Sequence, residues 1–427
     1  MSKPITASAS GYAIWHPYTQ MQTAGKPLLI SKGKGACLYD ENGIRYIDAV
    51  SSWWTNLYGH AHPHIANAIA LQAQQLEQVI FAGFTHQPAI NLAEKLLQRI
   101  PFHQKVFYSD NGSTAVEAAI KMALQFWWNK GQQRNKIIAF RDAYHGDTFG
   151  SMSVSARGVF TKPYQPLLFD VLFIDTPVKG REQESLKQFN KHIAENEAEI
   201  AGFIFEPLVL GSAGMLMYEA TVLNELLAIC KSHHILTIAD EVMTGFGRTG
   251  KFLASDYCEQ KPDIICLSKG ITGGFLPFAA TTCTQDIYDA FLSDEKYKML
   301  FHGHSYTGNP LGCAAAIAGL EVFEQENIIE RIEHIAAKHS QFQQKVSMYK
   351  HVKEARQTGT ILAIEIDTGE QSGYLNSVRD KAYQYFLSRN ILLRPLGNVV
   401  YILPPYCITD AELDEVYSAI ENFLQHL

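Results

Sequence analysis

Pro262-Asp263-Ile264-Ile265-Cys266-Leu267-Ser268-Lys269-Gly270 is an apolar run of strand length that delivers one lysine to its end, and Thr272-Gly273-Gly274 follows it as a turn. Two readings of the lysine are open. At a strand end it is ordinarily a solvated cap. Enclosed by apolar walls or set beside a positive charge, its ammonium form is disfavoured, and the free amine becomes a nucleophile of the kind that makes Schiff bases. Upstream, Ile235-Leu236-Thr237-Ile238-Ala239-Asp240-Glu241-Val242 is a second apolar run that also ends in polar residues. For Asp240 and Lys269 to act together the two runs must be strands of one parallel sheet, because ligands of such sheets sit outside the carboxyl ends of the strands.

That pair suits pyridoxal phosphate, whose carbonyl takes the lysine amine and whose pyridinium nitrogen stays protonated beside a carboxylate. The surrounding pattern agrees with an α/β sheet, since helical and strand-like segments alternate from about residue 90 to residue 283. Among them, Ser109-Asp110-Asn111-Gly112-Ser113-Thr114 leads into a strongly helical stretch to Trp128. Free N–H groups at a helix start, a glycine and two hydroxyls make a phosphate cup, although a plain Asn or Ser cap has the same sequence. Lys136 to Phe140 reads as a strand, and the loop after it carries Tyr144, His145 and Asp147. There Tyr144 is expected to stack on a planar ring and His145 or Asp147 to fix a polar group, or the stretch is only an Asp and Gly turn. Ile204-Phe205-Glu206-Pro207 closes another strand with a carboxylate, and residues 181 to 199 read as a solvated helix.

The 427 residues, 47% apolar, suffice for two or three domains with a large core. A net charge of −7 without basic runs argues against nucleic acid and anionic membranes. The seven cysteines (37, 230, 258, 266, 283, 313, 407) are scattered without a Cys-x-x-Cys pair, which points to a reducing compartment rather than a disulfide framework or zinc site. Met1 to Ser10 has no apolar leader, and no run approaches the ~20 residues of a membrane span, so a cytoplasmic location is expected.

Nearer the start, Gly35 to Asp40 and Arg45 to Asp48 flank an Asn42-Gly43 hairpin turn. The adjacent Trp53 and Trp54 cannot share one face, so one is expected to line a cavity or interface unless both pack in the core. His60, His62 and His64 alternate around Pro63, but a turn or helix start is favoured there over a metal site, and none is expected. His64 to Gln78 and Pro88 to Arg99 read as surface helices, and Trp127 and Trp128 as packing residues. Beyond about 325 come a charged helix from Glu326 to about Tyr349, a strand from Gly359 to Glu365, the run Ile391 to Leu403, and a Thr409-Asp410-Ala411-Glu412 capping box opening the last helix.

Taken together, these stretches resemble the class III aminotransferases of the fold-type I pyridoxal-phosphate enzymes over nearly the whole chain. His16-Pro17-Tyr18-Thr19, Ser52-Trp53-Trp54, Tyr144-His145-Gly146-Asp147, Thr244-Gly245-Phe246-Gly247-Arg248-Thr249-Gly250 and Pro404-Pro405-Tyr406 are similar to the branch of that family that works in biotin biosynthesis. The resemblance implies a large domain at 51–325, with a mostly parallel seven-stranded sheet flanked by helices. It also implies a smaller α+β domain at 326–427, joined by 1–50. It assigns Lys269 to the Schiff base and to proton shuttling, Asp240 to the pyridinium nitrogen, Gly112 and Ser113 to the phosphate, and Tyr144 and Val242 to the two faces of the ring. Gly303, His304 and Ser305 match a segment that reaches the phosphate bound by a neighbouring subunit, which implies a homodimer with shared sites. Tyr18, Trp53, Trp54, Tyr144 and Asp147 would surround the acceptor, 8-amino-7-oxononanoate, and Arg394 would take its carboxylate. The donor is expected to be S-adenosylmethionine. Two departures, His304-Ser305 where Pro-Thr is usual and Leu396 where an aromatic is frequent, leave lysine open as an alternative.

Overall fold

The computed structural model describes residues 13–370 and 372–427; Met1 to Ser10, read above for a leader, lies outside them. β1 (Ile30–Lys34), β2 (Cys37–Asp40) and β3 (Arg45–Asp48) form an antiparallel meander. Between β2 and β3, Asp40 Oδ1 accepts the N–H groups of Asn42 and Ile44, and Gly43 takes a φ of +81° that only glycine adopts at little cost.

The central sheet is made of β4 (Lys105–Ser109), β5 (Lys136–Phe140), β6 (Leu172–Ile174), β7 (Ile200–Phe205) and, after the small hairpin of β8 (Val209–Leu210) and β9 (Leu216–Met217), of β10 (Leu236–Asp240), β11 (Ile264–Leu267) and β12 (Ala279–Cys283). Its order is β4-β12-β11-β10-β7-β5-β6, with β12 alone antiparallel to its neighbours. Every residue of β7, β10 and β11 is buried, as strands covered on both faces must be. Alternate residues serve opposite faces: Ile137, Ala139, Ile204, Ile238 and Ile264 pack in the cluster of the helix Gly112–Asn129, whereas Ile138, Phe140, Phe203, Phe205 and Ile265 join that of the helices Glu182–Asn196 and Ala220–Ser232. Each buried Ile or Phe among them contributes about 1.5–3 kcal/mol, before the chain-ordering entropy that opposes it.

The helix Pro310–Gln325 closes this unit, and Asn327, at φ +52°, breaks the chain before the helix Ile328–Val346. There follow β13 (Val352–Thr358), β14 (Ile361–Ile366), β15 (Ile391–Leu392), β16 (Val399–Ile402) and the helix Asp410–Gln425, whose Thr409 and Glu412 make the expected reciprocal cap. β13, β14 and β16 form one sheet, and β15 adds in parallel to β3, so residues 391–392 complete the meander begun at 30–48.

The expectation for Trp128 changes, and two other parts of the chain show what the sequence left open. β13 has no strand signature, its sequence being Val-Lys-Glu-Ala-Arg-Gln-Thr, and it is a strand because it pairs along β14. Trp127 is buried as expected, but Trp128 is 53% exposed and stands edge-on to Tyr297. The helices Pro63–Ala73 and Gln87–Arg99 do lie at the surface, yet each anchors in the core through residues of zero exposure, Ile65 in the first and Leu92 and Leu96 in the second. The three alternating histidines face three different carboxylates, His60 with Asp48, His62 with Glu326 and His64 with Glu321.

Candidate active site

Parallel pairing sets Asp240 level with Cys266, so the carboxyl ends of β10 and β11 deliver Asp240 and Lys269 to one cavity of about 600 Å³. Lys269 has φ +45°, a left-handed conformation that costs a residue with a Cβ about 1–2 kcal/mol, and it turns the chain from β11 into a single 3₁₀ turn. Its neighbour Ser268 is tied to the Phe278 carbonyl at 2.8 Å. The amine is enclosed: Nζ lies 4.5 Å from the Trp54 ring and makes no ion pair among the described residues. Burial pushes its pKa down to about 8, opposed by Asp240 and Glu206 and aided by Arg248. The free base is the reactive form, so the rate at which cofactor-free protein reacts with pyridoxal phosphate should rise with pH through about 8 and then level. A rapid-mixing absorbance titration checks this, and a midpoint at the ordinary lysine value of 10.5 would contradict it.

Asp240 is 5% exposed and doubly held: the Nδ1–H of His145 donates to Oδ2 at 2.7 Å, and the N–H of Val242 donates to Oδ1 at 3.1 Å. The turn at 51–54 is locked by Asp48, which accepts the Ser52 N–H at 2.7 Å, and by Ser51 Oγ donating to the Leu403 carbonyl at 2.8 Å. Those bonds sustain positive φ at Ser51, Ser52 and Trp54 and send the two tryptophans apart. Trp54 is buried beside Lys269, with its Nε1–H donating to Tyr401 at 2.8 Å, while Trp53 is 43% exposed.

The helix start at Asn111 has the cap its sequence suggests. Asn111 Oδ1 accepts the Thr114 N–H at 3.1 Å, and the N–H groups of Gly112 and Ser113, first in the helix, have no intrahelical acceptor. A Cβ on Gly112 would come within 2.7 Å of Val242 Cγ1, and one on Gly146 within 2.1 Å of Ser113 Oγ, so both glycines are needed where backbone and cavity meet. An enclosed amine, a buried carboxylate, a dianion cup and the apolar Val242 with aromatic Tyr144 in the lining fit pyridoxal phosphate.

Around this floor Tyr18 donates from its hydroxyl to Asp147 and lies 3.3 Å from the Tyr144 hydroxyl. Burial and the bond to Asp147 raise the Tyr18 pKa to about 12. The Tyr18 ring stands 5.6 Å from Trp53, and the Arg394 guanidinium lies 5.1 Å over the other partner of that contact, the Trp53 ring itself. Thus Lys269, Asp240, Gly112, Ser113, Tyr144, Val242, Trp54 and Asp147 line one cavity, with Tyr18, Trp53 and Arg394 joined to its edge. Gly303, His304 and Ser305 do not line it: His304 Nδ1 is 3.0 Å from Asp110 Oδ2, and the Ser305 carbonyl accepts from Gln78. Arg248, from the Gly-rich motif, is wholly buried, with Nη1 donating to the Pro404 carbonyl at 2.8 Å. Leu396 lines a second cavity of about 470 Å³, beyond the wall of Tyr144, Gly146 and Asp147.

Sequence reasoning did not assign Glu206 to the site, although a carboxylate closing a strand was its one signal. Nor did it find the brace of Glu241, which accepts from the Thr244 hydroxyl and the N–H groups of Ala254 and Ser255 and whose pKa burial raises to about 7.

The profile of the family described as Aminotransferase class-III matches residues 19–424. The chain is 46% identical to an adenosylmethionine-8-amino-7-oxononanoate aminotransferase of Synechococcus elongatus, over 97% of this chain and 99% of that protein. It is 39% identical to the protein so named from Geobacter sulfurreducens, over 96% and 95%. Among solved structures, that of the enzyme of the same name from Methanocaldococcus jannaschii superposes with a TM-score of 0.91 at 40% identity, covering 96% of this chain and 97% of that one. A PLP-bound amine transaminase from an uncultivated Pseudomonas species superposes at 0.90 with 32% identity, over 96% and 98%.

Proposed function

The chain belongs to the class III aminotransferases, and from that premise we propose that it transfers the amino group of S-adenosylmethionine to 8-amino-7-oxononanoate, giving 7,8-diaminononanoate in biotin biosynthesis. Pyridoxal 5′-phosphate is the cofactor of the family, and when bound it draws electrons from the carbon that bears the transferred amine and keeps the amino group between two half-reactions. Lys269 Nζ would hold this group in the resting site and would carry a proton to and from the reacting substrate carbon. Asp240, itself held by His145, keeps a proton on the ring nitrogen. The N–H groups of Gly112 and Ser113 bind the phosphate, and Tyr144 and Val242 enclose the ring. Tyr18, Trp53, Trp54 and Asp147 orient the acceptor and exclude water, and Arg394 takes its carboxylate.

The observation that supports the acceptor best is Arg394: its guanidinium rests on Trp53 beside Tyr18 and forms no ion pair with a carboxylate among the described residues. Arg394→Ala should raise the KM for 8-amino-7-oxononanoate about 10- to 100-fold with a smaller change in kcat, the loss expected of a charge-assisted hydrogen bond. Unchanged KM removes Arg394 from the acceptor site. The donor is tested by mixing the yellow holoenzyme separately with S-adenosylmethionine and with lysine and following loss of its visible absorbance. Bleaching by S-adenosylmethionine that 8-amino-7-oxononanoate reverses supports the proposal. Bleaching by lysine alone changes the donor, and bleaching by neither turns the assignment to a general ω-amino acid:pyruvate aminotransferase.

We also propose that the enzyme works as a homodimer in the cytoplasm. Ile80, Phe84, Phe301 and Tyr306 are each more than 60% exposed, and the bond of Gln78 to the Ser305 carbonyl brings their two segments together, which leaves an apolar face suited to a second copy. Gly303, His304 and Ser305 lie on that face and would approach the phosphate in the other subunit. The described cysteines are all unpaired, as a reducing compartment requires, and no described helix is long and apolar enough to cross a membrane.

A further inference from the structure

Glu206 is a buried carboxylate whose oxygens are held by backbone N–H groups. It stands just past β7, next to β10, where Phe205 pairs with Ala239 and the following residues are therefore Glu206 and Asp240. It is 6% exposed and forms no ion pair among the described residues. Its two oxygens are used by two backbone donors from different parts of the wall: Oε1 accepts the Tyr144 N–H at 2.9 Å, and Oε2 accepts the Gly211 N–H at 3.0 Å. The first peptide leads directly into His145, whose Nδ1–H holds Asp240 and whose own N–H is tied to Ser155 Oγ at 2.9 Å. The second belongs to the turn between β8 and β9, where a Cβ on Gly211 would meet the Trp54 ring at 3.1 Å and Met243 Sδ at 2.7 Å. Glu206 therefore joins the Tyr144 wall to the Trp54 wall across the floor of the Lys269 cavity.

We propose that Glu206 is a positioning residue, whose ionised carboxylate clamps the Tyr144 and Gly211 peptides and so keeps His145 aligned on Asp240. The inference rests on the class III reading of the site and not on which amine is the donor. Its chemical content lies in acceptor capacity. A carboxylate offers strong, charge-assisted acceptors to both N–H groups, whereas protonation leaves one of them a weaker neutral hydroxyl acceptor and an amide turns an NH2 donor toward it. The charged and titratable groups facing Glu206 are His145 and Tyr144 from the loop after β5, Asp240 from β10, Lys269 from the turn after β11, and Tyr218 after β9, whose hydroxyl donates to the Glu206 carbonyl at 2.7 Å. Burial foremost, with Asp240 adding and His145 opposing, raises the pKa of Glu206 from 4.5 to about 7. Acidification through neutrality should thus loosen the clamp and slow the reaction. The same shift favours the folded state at lower pH: the native chain binds this proton more tightly than the unfolded chain, so the contribution of Glu206 to stability is full below 4.5 and lost as pH rises through about 7. Rate and stability attributable to this group move in opposite directions.

The test compares holoenzyme and its Glu206→Gln variant in the half-reaction with the donor amine between pH 5.5 and 8.5, together with Tm at each pH. We expect the amide to lower kcat about 10- to 100-fold at pH 8, to remove the fall in rate on acidification near pH 7, and to shift the Tm difference in favour of the parent as pH drops. A variant that keeps the parent's rate and acid limb overturns the proposal. Should the amide not fold, the parent alone decides: a reversible loss of rate below pH 7 with unchanged near-ultraviolet circular dichroism supports the clamp, and a loss of rate that tracks loss of folded signal overturns it. Absence of any half-reaction in the parent with any amine would instead refute the aminotransferase reading itself.

Discussion

Lys269→Ala is expected to lower turnover by about 10⁴-fold or more, because under the proposed function it removes the amine that would receive the cofactor together with the group that would move the proton, and positioned proton transfer alone is worth up to about 10⁴-fold. The cavity that holds the lysine is preformed by Trp54 and by strand ends the substitution leaves in place, so the variant should fold and should still take up pyridoxal phosphate through the N–H groups before Thr114. Deleting an enclosed ammonium that makes no described ion pair also removes a desolvation cost rather than a bond. The decisive measurement is a single half-reaction followed by absorbance. Turnover within tenfold of the parent would take Lys269 out of the mechanism, while partial recovery by a small added amine would tie the loss to the missing nitrogen.

Asp240→Asn is expected to lower the half-reaction rate about 10²- to 10³-fold, the kinetic equivalent of breaking a buried charge pair. The amide keeps the size of the side chain and can still accept from the Val242 N–H, so packing is preserved. What it loses is the charge. Under the proposed function the ring nitrogen would then have no anion to hold its proton, and His145 Nδ1–H, now 2.7 Å from a carboxylate oxygen, would face a neutral group. A spectrum of the bound cofactor that changes its response to pH, accompanied by the slow rate, would show that the charge is responsible. An unaltered rate would leave Asp240 as a structural residue only.

Much of the site was legible because its signals are local. Asp240 and Lys269 each close a short apolar run, and Asn111 to Thr114 is a helix start in any context, since capping depends on residues three apart. The Asn42-Gly43 turn and the Thr409 to Glu412 cap were readable for the same reason. β13 was not, because its polar sequence becomes a strand only when β14 lies beside it. Nor was the orientation of the two tryptophans, which depends on Asp48 and Leu403 holding an otherwise unfavourable turn.

The sequence by itself determined the strand and helix alternation, the places of Lys269 and Asp240 at the ends of apolar runs and the helix start at Asn111, since apolar periodicity and end-capping are settled within a few residues of each position. Only the tertiary structure decided that Tyr18 bonds to Asp147, that residues 391–392 complete the sheet begun at 30–48, and that Glu206 joins the peptides of Tyr144 and Gly211. It also decided the chemical state of the site. The amine of Lys269 is held near pKa 8 and the acid of Glu206 near 7 by loss of water around them, and desolvation is a property of the whole packed assembly that no stretch of the chain carries alone.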